Sequence, residues 1–121
     1  MLGSTGSIGL SCLDVAASLA DRIEIVGLCA HSSWETLFEQ THRFHPRFAV
    51  LTDQRALQKA DRSRLWHGTE LLAGEEGVAR LVSDPDVDLV VSAIVGAAGL
   101  SGTWQALQAG KTVALANKET L

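Results

Sequence analysis

The sequence predicts an α/β fold: a mostly parallel β-sheet with helices on both of its faces. Three observations carry that prediction. Apolar runs rich in β-branched residues alternate with segments of helical periodicity. A glycine-spaced turn, Gly3-Ser4-Thr5-Gly6-Ser7-Ile8-Gly9, opens directly into the first helical pattern. The apolar runs read as strands buried on both faces, as parallel strands are.

The elements follow in order. Residues 8–19 are expected to be a helix, with Ile8, Leu13, Val15, Ala16 and Leu19 as apolar positions and Ser7 as cap. Residues 23–30 (IEIVGLCA) read as a buried strand. Residues 33–44 form an amphipathic helix, with Trp34, Leu37, Phe38, Thr41 and Phe44 near one face, and Pro46 ends it. Residues 48–51 (FAVL) are a short strand, after which Asp53 caps a helix running to about residue 65. Residues 66–77 carry the weakest pattern, with a short strand near 70–72. A helix over 75–82 and a buried strand over 86–94 (DVDLVVSAI) come next. A Gly/Ala/Ser turn spans 96–102. A helix over 103–109, closed by Gly110 at its C′ position, leads to the last strand, 111–116 (KTVALA).

The 121 residues suit one domain, and no linker, repeat or low-complexity segment interrupts them. A hydrophobic fraction of 46% against 20% charged is enough for a packed core and excludes a disordered chain. The net charge is −4 with no basic run, which argues against nucleic acid as the main partner. No apolar stretch is long enough to span a bilayer, and no signal-peptide pattern follows Met1. Cys12 and Cys29 have neither CxxC nor Cys/His ligand spacing, so they read as buried, reduced thiols.

The glycine turn carries the clearest chemistry. Glycine lets a ligand approach the backbone closely, and a helix N-terminus offers unpaired N–H groups and partial positive charge to a pyrophosphate. The spacing is G-x-x-G-x-x-G rather than G-x-G-x-x-G. By itself it also fits a plain turn before a helix. At the end of the next strand, His31-Ser32-Ser33 stands where an NAD site would place a carboxylate. Its absence tilts the reading toward NADP, with hydroxyls, N–H groups and a histidine to accept a 2′-phosphate. The same three residues also fit a simple helix cap. Ala93-Ile94-Val95-Gly96-Ala97-Ala98-Gly99 offers small residues for a flat ring to approach, or a tight turn that needs glycine only for packing. Asn117-Lys118-Glu119 follows the last strand and can bond ribose hydroxyls and an anionic substrate, or be a solvated strand end. His42, His45 and His67 lack partners at ligand spacing. Asp84, Asp86 and Asp88 alternate as metal ligands can, but Asp86 and Asp88 more naturally flank a turn after Pro85 and before a strand. Trp34, Trp66 and Trp104 read as core or partner-facing.

Together these residues closely resemble the 1-deoxy-D-xylulose 5-phosphate reductoisomerase family. The matching text is LGSTGSIG over 2–9 with Leu13-Asp14-Val15, then Gln40 and FHPRFAV over 44–50. AIVGAAGL over 93–100 follows with Thr103, then Gly110-Lys111 and LANKETL over 115–121. The resemblance covers essentially the whole chain, and LGSTGSIG paired with LANKE at this separation is highly specific.

The resemblance implies a Rossmann-like NADPH-binding domain over residues 1–121. Thr5, Gly6, Ser7 and Ile8 would line the pyrophosphate turn. His31, Ser32 and Ser33 would face the 2′-phosphate, although their side chains depart from the family's usual pattern there. Asn117 and Glu119 would face the nicotinamide-ribose half, and Lys118 would reach the substrate. The family rearranges 1-deoxy-D-xylulose 5-phosphate and reduces the result with NADPH to 2-C-methyl-D-erythritol 4-phosphate. It uses a divalent metal, Mg or Mn, whose carboxylates lie beyond the NKE segment, so no catalytic or metal residue is expected within 1–121. Only Met1 and Leu2 precede Gly3, where a strand of about 5 residues is usual. The chain is therefore expected to be a fragment with its first strand truncated, inactive by itself. The family also implies a homodimer when full-length and a cytoplasmic location, or a plastid in a plant. Two rival readings are a dehydrogenase of the aspartate-semialdehyde or homoserine type and a nucleotide-binding module without chemistry.

Overall fold

A computed structural model describes residues 1–94 and 98–116. The helices are α1 (Ser7–Ser18), α2 (Trp34–Phe44), α3 (Gln54–Lys59), α4 (Gly74–Ser83) and α5 (Ala98–Gln108). The strands are β1 (Gly27–Ala30), β2 (Phe48–Leu51), β3 (Glu70–Ala73), β4 (Leu89–Ser92) and β5 (Thr112–Leu115). All strand pairs are parallel. β1, β2 and β3 form one ladder in that order, and β4 pairs with β5.

Leu2 joins the two ladders. It bridges Cys29 of β1 on one side and Ser92 of β4 on the other. Its N–H donates to Val91 O at 2.8 Å and its carbonyl accepts from Ala93 N at 2.9 Å. On the β1 side, Cys29 N donates to Met1 O at 2.9 Å, and Gly3 N to Cys29 O at 2.8 Å. The order is therefore β3-β2-β1-Leu2-β4-β5, and the winding direction reverses at Leu2. In open α/β sheets such a reversal creates a crevice at the carboxyl ends of the strands.

The period-2 alternation of the strands divides the core in two. Leu28 and Ala30 of β1 and Ala49 and Leu51 of β2 pack with Leu13, Leu37 and Phe38, under α1 and α2. Cys29, Phe48, Val50 and Val90 face the other way, toward Val78, Leu81, Val82 and Ala106 of α4 and α5. Helices therefore cover both sheet faces, as the alternating sequence pattern predicts.

Four elements differ from the sequence expectation, each for a local reason. β1 starts at Gly27 rather than residue 23. Its register pairs Gly27 with Phe48, so residues 23–26 lie opposite the end of α2 and Pro46, which has no N–H to offer. α3 stops at Lys59 because Ala60 turns extended, and Asp61 then caps a separate 3₁₀ turn by accepting from Ser63 N at 3.1 Å. β4 starts at Leu89, since its partner begins at Thr112 just after the Gly110 turn. α5 begins at Ala98, where a turn was expected to run on to residue 102. Gly102 serves close packing there: a Cβ would stand 2.7 Å from Leu2 Cδ1.

Two of the three aspartates pair with protein groups, and Asp86 Oδ2 stands 3.2 Å from Arg47 Nη1. Asp84 accepts from Asp86 N at 2.9 Å and from Arg47 at 2.7 Å, and its carbonyl accepts from Lys111 Nζ at 2.8 Å. The Asp86 N–H first, then the Arg47 guanidinium, holds its carboxyl below the usual carboxylate range. Trp34 and Trp66 are half-buried, whereas Trp104 is exposed with Leu100 and Leu107 on the outer side of α5.

Candidate functional site

The glycine turn lies at the reversal point, at the carboxyl end of the Leu2 rung. Its three glycines have different surroundings. Gly3 adopts φ +81°, and its Cα is so near β4 that a Cβ would lie 2.9 Å from the Ala93 carbonyl carbon and oxygen. Gly9, in the first turn of α1, faces Gly3. A Cβ there would run into the Gly3 carbonyl oxygen and stand 2.9 Å from Ser4 Cα and C. Gly6 is open: a Cβ would find only the Gly3 oxygen, at 4.0 Å. Gly3 and Gly9 thus shape the turn, while Gly6 leaves space on its outer side.

Ser4 and Ser7 part company here. Ser4 is fully buried, with its N–H on Cys29 O at 3.0 Å and its carbonyl accepting from Gln40 Nε2 at 2.8 Å. Thr5 and Ile8 are half-buried, while Gly6 and Ser7 are exposed. The helix cap is Gly6, extended at φ −77° and ψ 170°, so Ser7 is the first helical residue and not the expected cap. The N–H groups of Thr5, Ser7, Ile8 and Gly9 meet no acceptor among the described residues. A cluster of free N–H groups at a helix N-terminus, beside a glycine without a Cβ in the way, is suited to a pyrophosphate.

His31, Ser32 and Ser33 follow β1 and are all exposed. The His31 ring is fixed by a hydrogen bond between Nδ1 and Thr52 Oγ1 at 2.9 Å. Its carbonyl accepts from Asp53 N at 2.9 Å. Ser33 occupies the N-cap position of α2, yet its hydroxyl makes no capping bond. The two serine hydroxyls and the second imidazole nitrogen are thus free of partners among the described residues. Asp53 likewise precedes α3 without a side-chain cap.

Two residues that shape this region have no site role in the sequence analysis: Gln40, quoted there only as part of the family resemblance, and Thr52. Gln40 stands on the amphipathic α2, where its neighbours Leu37, Phe38 and Thr41 are core. A buried amide among apolar positions was the available signal. Thr52 follows β2, and only the strand pairing brings it beside His31. Asn117, Lys118 and Glu119 lie outside the described residues, as does part of the 93–99 segment. Among the described residues, no three His, Cys, Asp or Glu side chains gather as a metal site. No described helix is long and apolar enough to cross a membrane.

Comparison with known proteins decides the family. The family model described as 1-deoxy-D-xylulose 5-phosphate reductoisomerase matches residues 1–121. The chain belongs to the 1-deoxy-D-xylulose 5-phosphate reductoisomerase family. The enzyme of that name from Desulfosudis oleivorans is 53% identical over 123 residues, covering all of this chain and 32% of the relative. That from Nitrosospira multiformis is 48% identical, again over all of this chain and 31% of the relative. The chain thus spans about a third of the length of these relatives. Among solved structures, the Zymomonas mobilis reductoisomerase in complex with NADPH superposes with a TM-score of 0.87 at 36% identity. That match covers 99% of this chain and 31% of the other. A reductoisomerase in complex with NADPH, fosmidomycin and magnesium gives 0.85 at 41% identity, over 99% and 30%. The reductoisomerase family therefore takes the place of the rival dehydrogenase reading, and the Rossmann-like expectation holds.

Proposed function

We propose that this chain is the NADPH-binding part of an enzyme that converts 1-deoxy-D-xylulose 5-phosphate to 2-C-methyl-D-erythritol 4-phosphate. The observation that carries the reading is the turn at the sheet reversal. Free N–H groups at Thr5, Ser7, Ile8 and Gly9 surround the one glycine of the three that has open space. These residues fit a dinucleotide pyrophosphate, and the solved relative with NADPH has this fold.

The bound dinucleotide supplies the hydride for the reduction. The chain's own residues bind and orient it. Thr5, Gly6, Ser7 and Ile8 take the pyrophosphate. His31, held by Thr52, takes the 2′-phosphate with Ser32 and Ser33. No carboxylate ends β1 to repel that phosphate. Asn117 and Glu119 take the nicotinamide-ribose half, and Lys118 reaches the phosphosugar substrate. We assign the Mg or Mn of the whole enzyme to residues beyond the NKE segment; among the described residues no three His, Cys, Asp or Glu side chains gather as a metal site. The whole enzyme is a cytoplasmic homodimer in this reading, and residues 1–121 alone do not turn over substrate.

Calorimetric titration of the chain with NADPH and NADH side by side tests the proposal. NADPH should bind more tightly. Preference for NADH would overturn the assignment of His31, Ser32 and Ser33, and absence of binding to either by the folded chain would overturn the site.

A further inference from the structure

The glycine turn is held from beneath by a residue on a different helix. Gln40 lies on the buried face of α2, and its Nε2 donates to the Ser4 carbonyl at 2.8 Å across 36 residues of sequence. Only the amide nitrogen can donate to a carbonyl, so chemistry fixes which way the Gln40 amide faces. The Gln40 Oε1 and the Ser4 hydroxyl are both buried and have no hydrogen-bond partner among the described residues. Among the described residues, the bond to Ser4 is the polar tie this side chain makes. A buried amide half satisfied in this way is a costlier core residue than Leu or Met. What it does that they cannot is hold a carbonyl.

That carbonyl controls the next N–H. In a trans peptide the C=O and N–H of one unit point in opposite directions within one plane. Drawing the Ser4 oxygen down toward α2 therefore turns the Thr5 N–H away from α2. The Thr5 N–H is one of the free donors of the turn. We propose that Gln40 is a positioning residue for cofactor binding: by pinning the Ser4 carbonyl it aims the Thr5 N–H at the dinucleotide pyrophosphate. This rests on the reading that the turn binds NADPH.

The test separates the pyrophosphate from the rest of the cofactor. NADPH engages both the turn and the His31 region, whereas 2′-AMP carries the 2′-phosphate and no pyrophosphate. Gln40→Met keeps the volume and removes the donor. NADPH affinity of the variant should fall roughly tenfold, the order expected for one hydrogen bond that leaves a buried carbonyl unpaired. The affinity for 2′-AMP should stay at the wild-type value. Equal weakening of both ligands would make Gln40 a structural residue only, and unchanged NADPH affinity would remove the role altogether. If Gln40→Met does not fold, the wild-type chain still decides. The Gln40 side-chain amide protons, followed by NMR, should shift on adding NADPH and not on adding 2′-AMP. No shift with NADPH, or equal shifts with both, overturns the proposal. A wild-type chain that binds 2′-AMP and no NADPH rejects the pyrophosphate turn itself and this proposal with it. Loss confined to the Gln40 variant's readout leaves that turn standing.

Discussion

Replacing Gly9 and Gly6 separately by alanine should give opposite results, although both belong to one glycine motif. In Gly9→Ala the new Cβ meets the Gly3 carbonyl and stands 2.9 Å from Ser4 Cα and C. All three neighbours are backbone, and Ser4 is itself pinned by Cys29 and Gln40, so nothing yields cheaply. Overpacking of this kind costs about 3 kcal/mol at the upper end of its usual range. The better helix propensity of alanine returns about 1 kcal/mol, leaving a net loss of about 2 kcal/mol. For 121 residues that lowers Tm by about 8 °C. In Gly6→Ala the Cβ meets only the Gly3 oxygen at 4.0 Å, and φ −77° suits alanine. Stability should change by less than about 0.5 kcal/mol. The new methyl instead occupies the space assigned to the pyrophosphate, and NADPH affinity should fall about tenfold, or about 1.4 kcal/mol. Differential scanning calorimetry and NADPH titration of the two variants read both quantities. A Gly9→Ala protein that melts like wild type, or a Gly6→Ala protein that keeps its affinity, would refute the division of labour among the glycines.

Two further outcomes follow from burial at the Leu2 rung. The Met1 ammonium is buried against Gly27 O at 2.7 Å, and burial lowers its pKa from 8.0 to about 6. The unfolded chain then binds more protons than the folded one between those values. Stability of the chain with a free Met1 amine should therefore rise with pH from about 6 to 8, by about 3 kcal/mol in all. Below about pH 6 the full penalty applies. Urea unfolding at several pH values measures the slope, and acetylation of the amine should flatten it; a slope that survives acetylation contradicts the assignment. Burial also pushes the Cys29 thiol up to about 12, whereas Cys12 is half-buried. A thiol reagent at neutral pH should label Cys12 in the native chain and Cys29 only after unfolding. Peptide mapping that finds native Cys29 labelled first would show the Leu2–Cys29 pairing to be wrong.

Local pattern was enough for the parts of the fold set by local chemistry. FAVL is apolar at every position because β2 is central and buried on both faces, and the strand comes out at 48–51 as read. α2 has a clear apolar face and a hard stop at Pro46, and it too was legible. The boundaries that shifted depend on partners remote in sequence. Nothing in IEIV says that Pro46 will stand opposite it. Nothing in GLSG says that Leu2 will press on Gly102, which places that glycine in a helix where glycine commonly signals a turn. The site divides the same way. The glycine turn is contiguous and readable, and so is the missing carboxylate after β1. Thr52 beside His31 and Gln40 beneath Ser4 exist only once the strands and helices have packed.

The Leu2 rung has a consequence for how this molecule comes apart. Among the described residues, the backbone ladder bonds between β4 and the rest of the sheet run through Leu2, and the β4–β5–α5 unit is otherwise attached by side-chain packing, chiefly of α4 on α5, and by the Lys111 Nζ bond to the Asp84 carbonyl. A seam that narrow makes the β4–β5–α5 unit the natural candidate for independent opening, visible as faster amide exchange than in β1 and β2. The glycine turn grows out of the same seam and rests on Ala93 at the end of β4. A dinucleotide bound there spans the joint as a rivet does. Its arrival should slow exchange throughout β4 and β5, well away from any atom it touches, and merge two unfolding units into one.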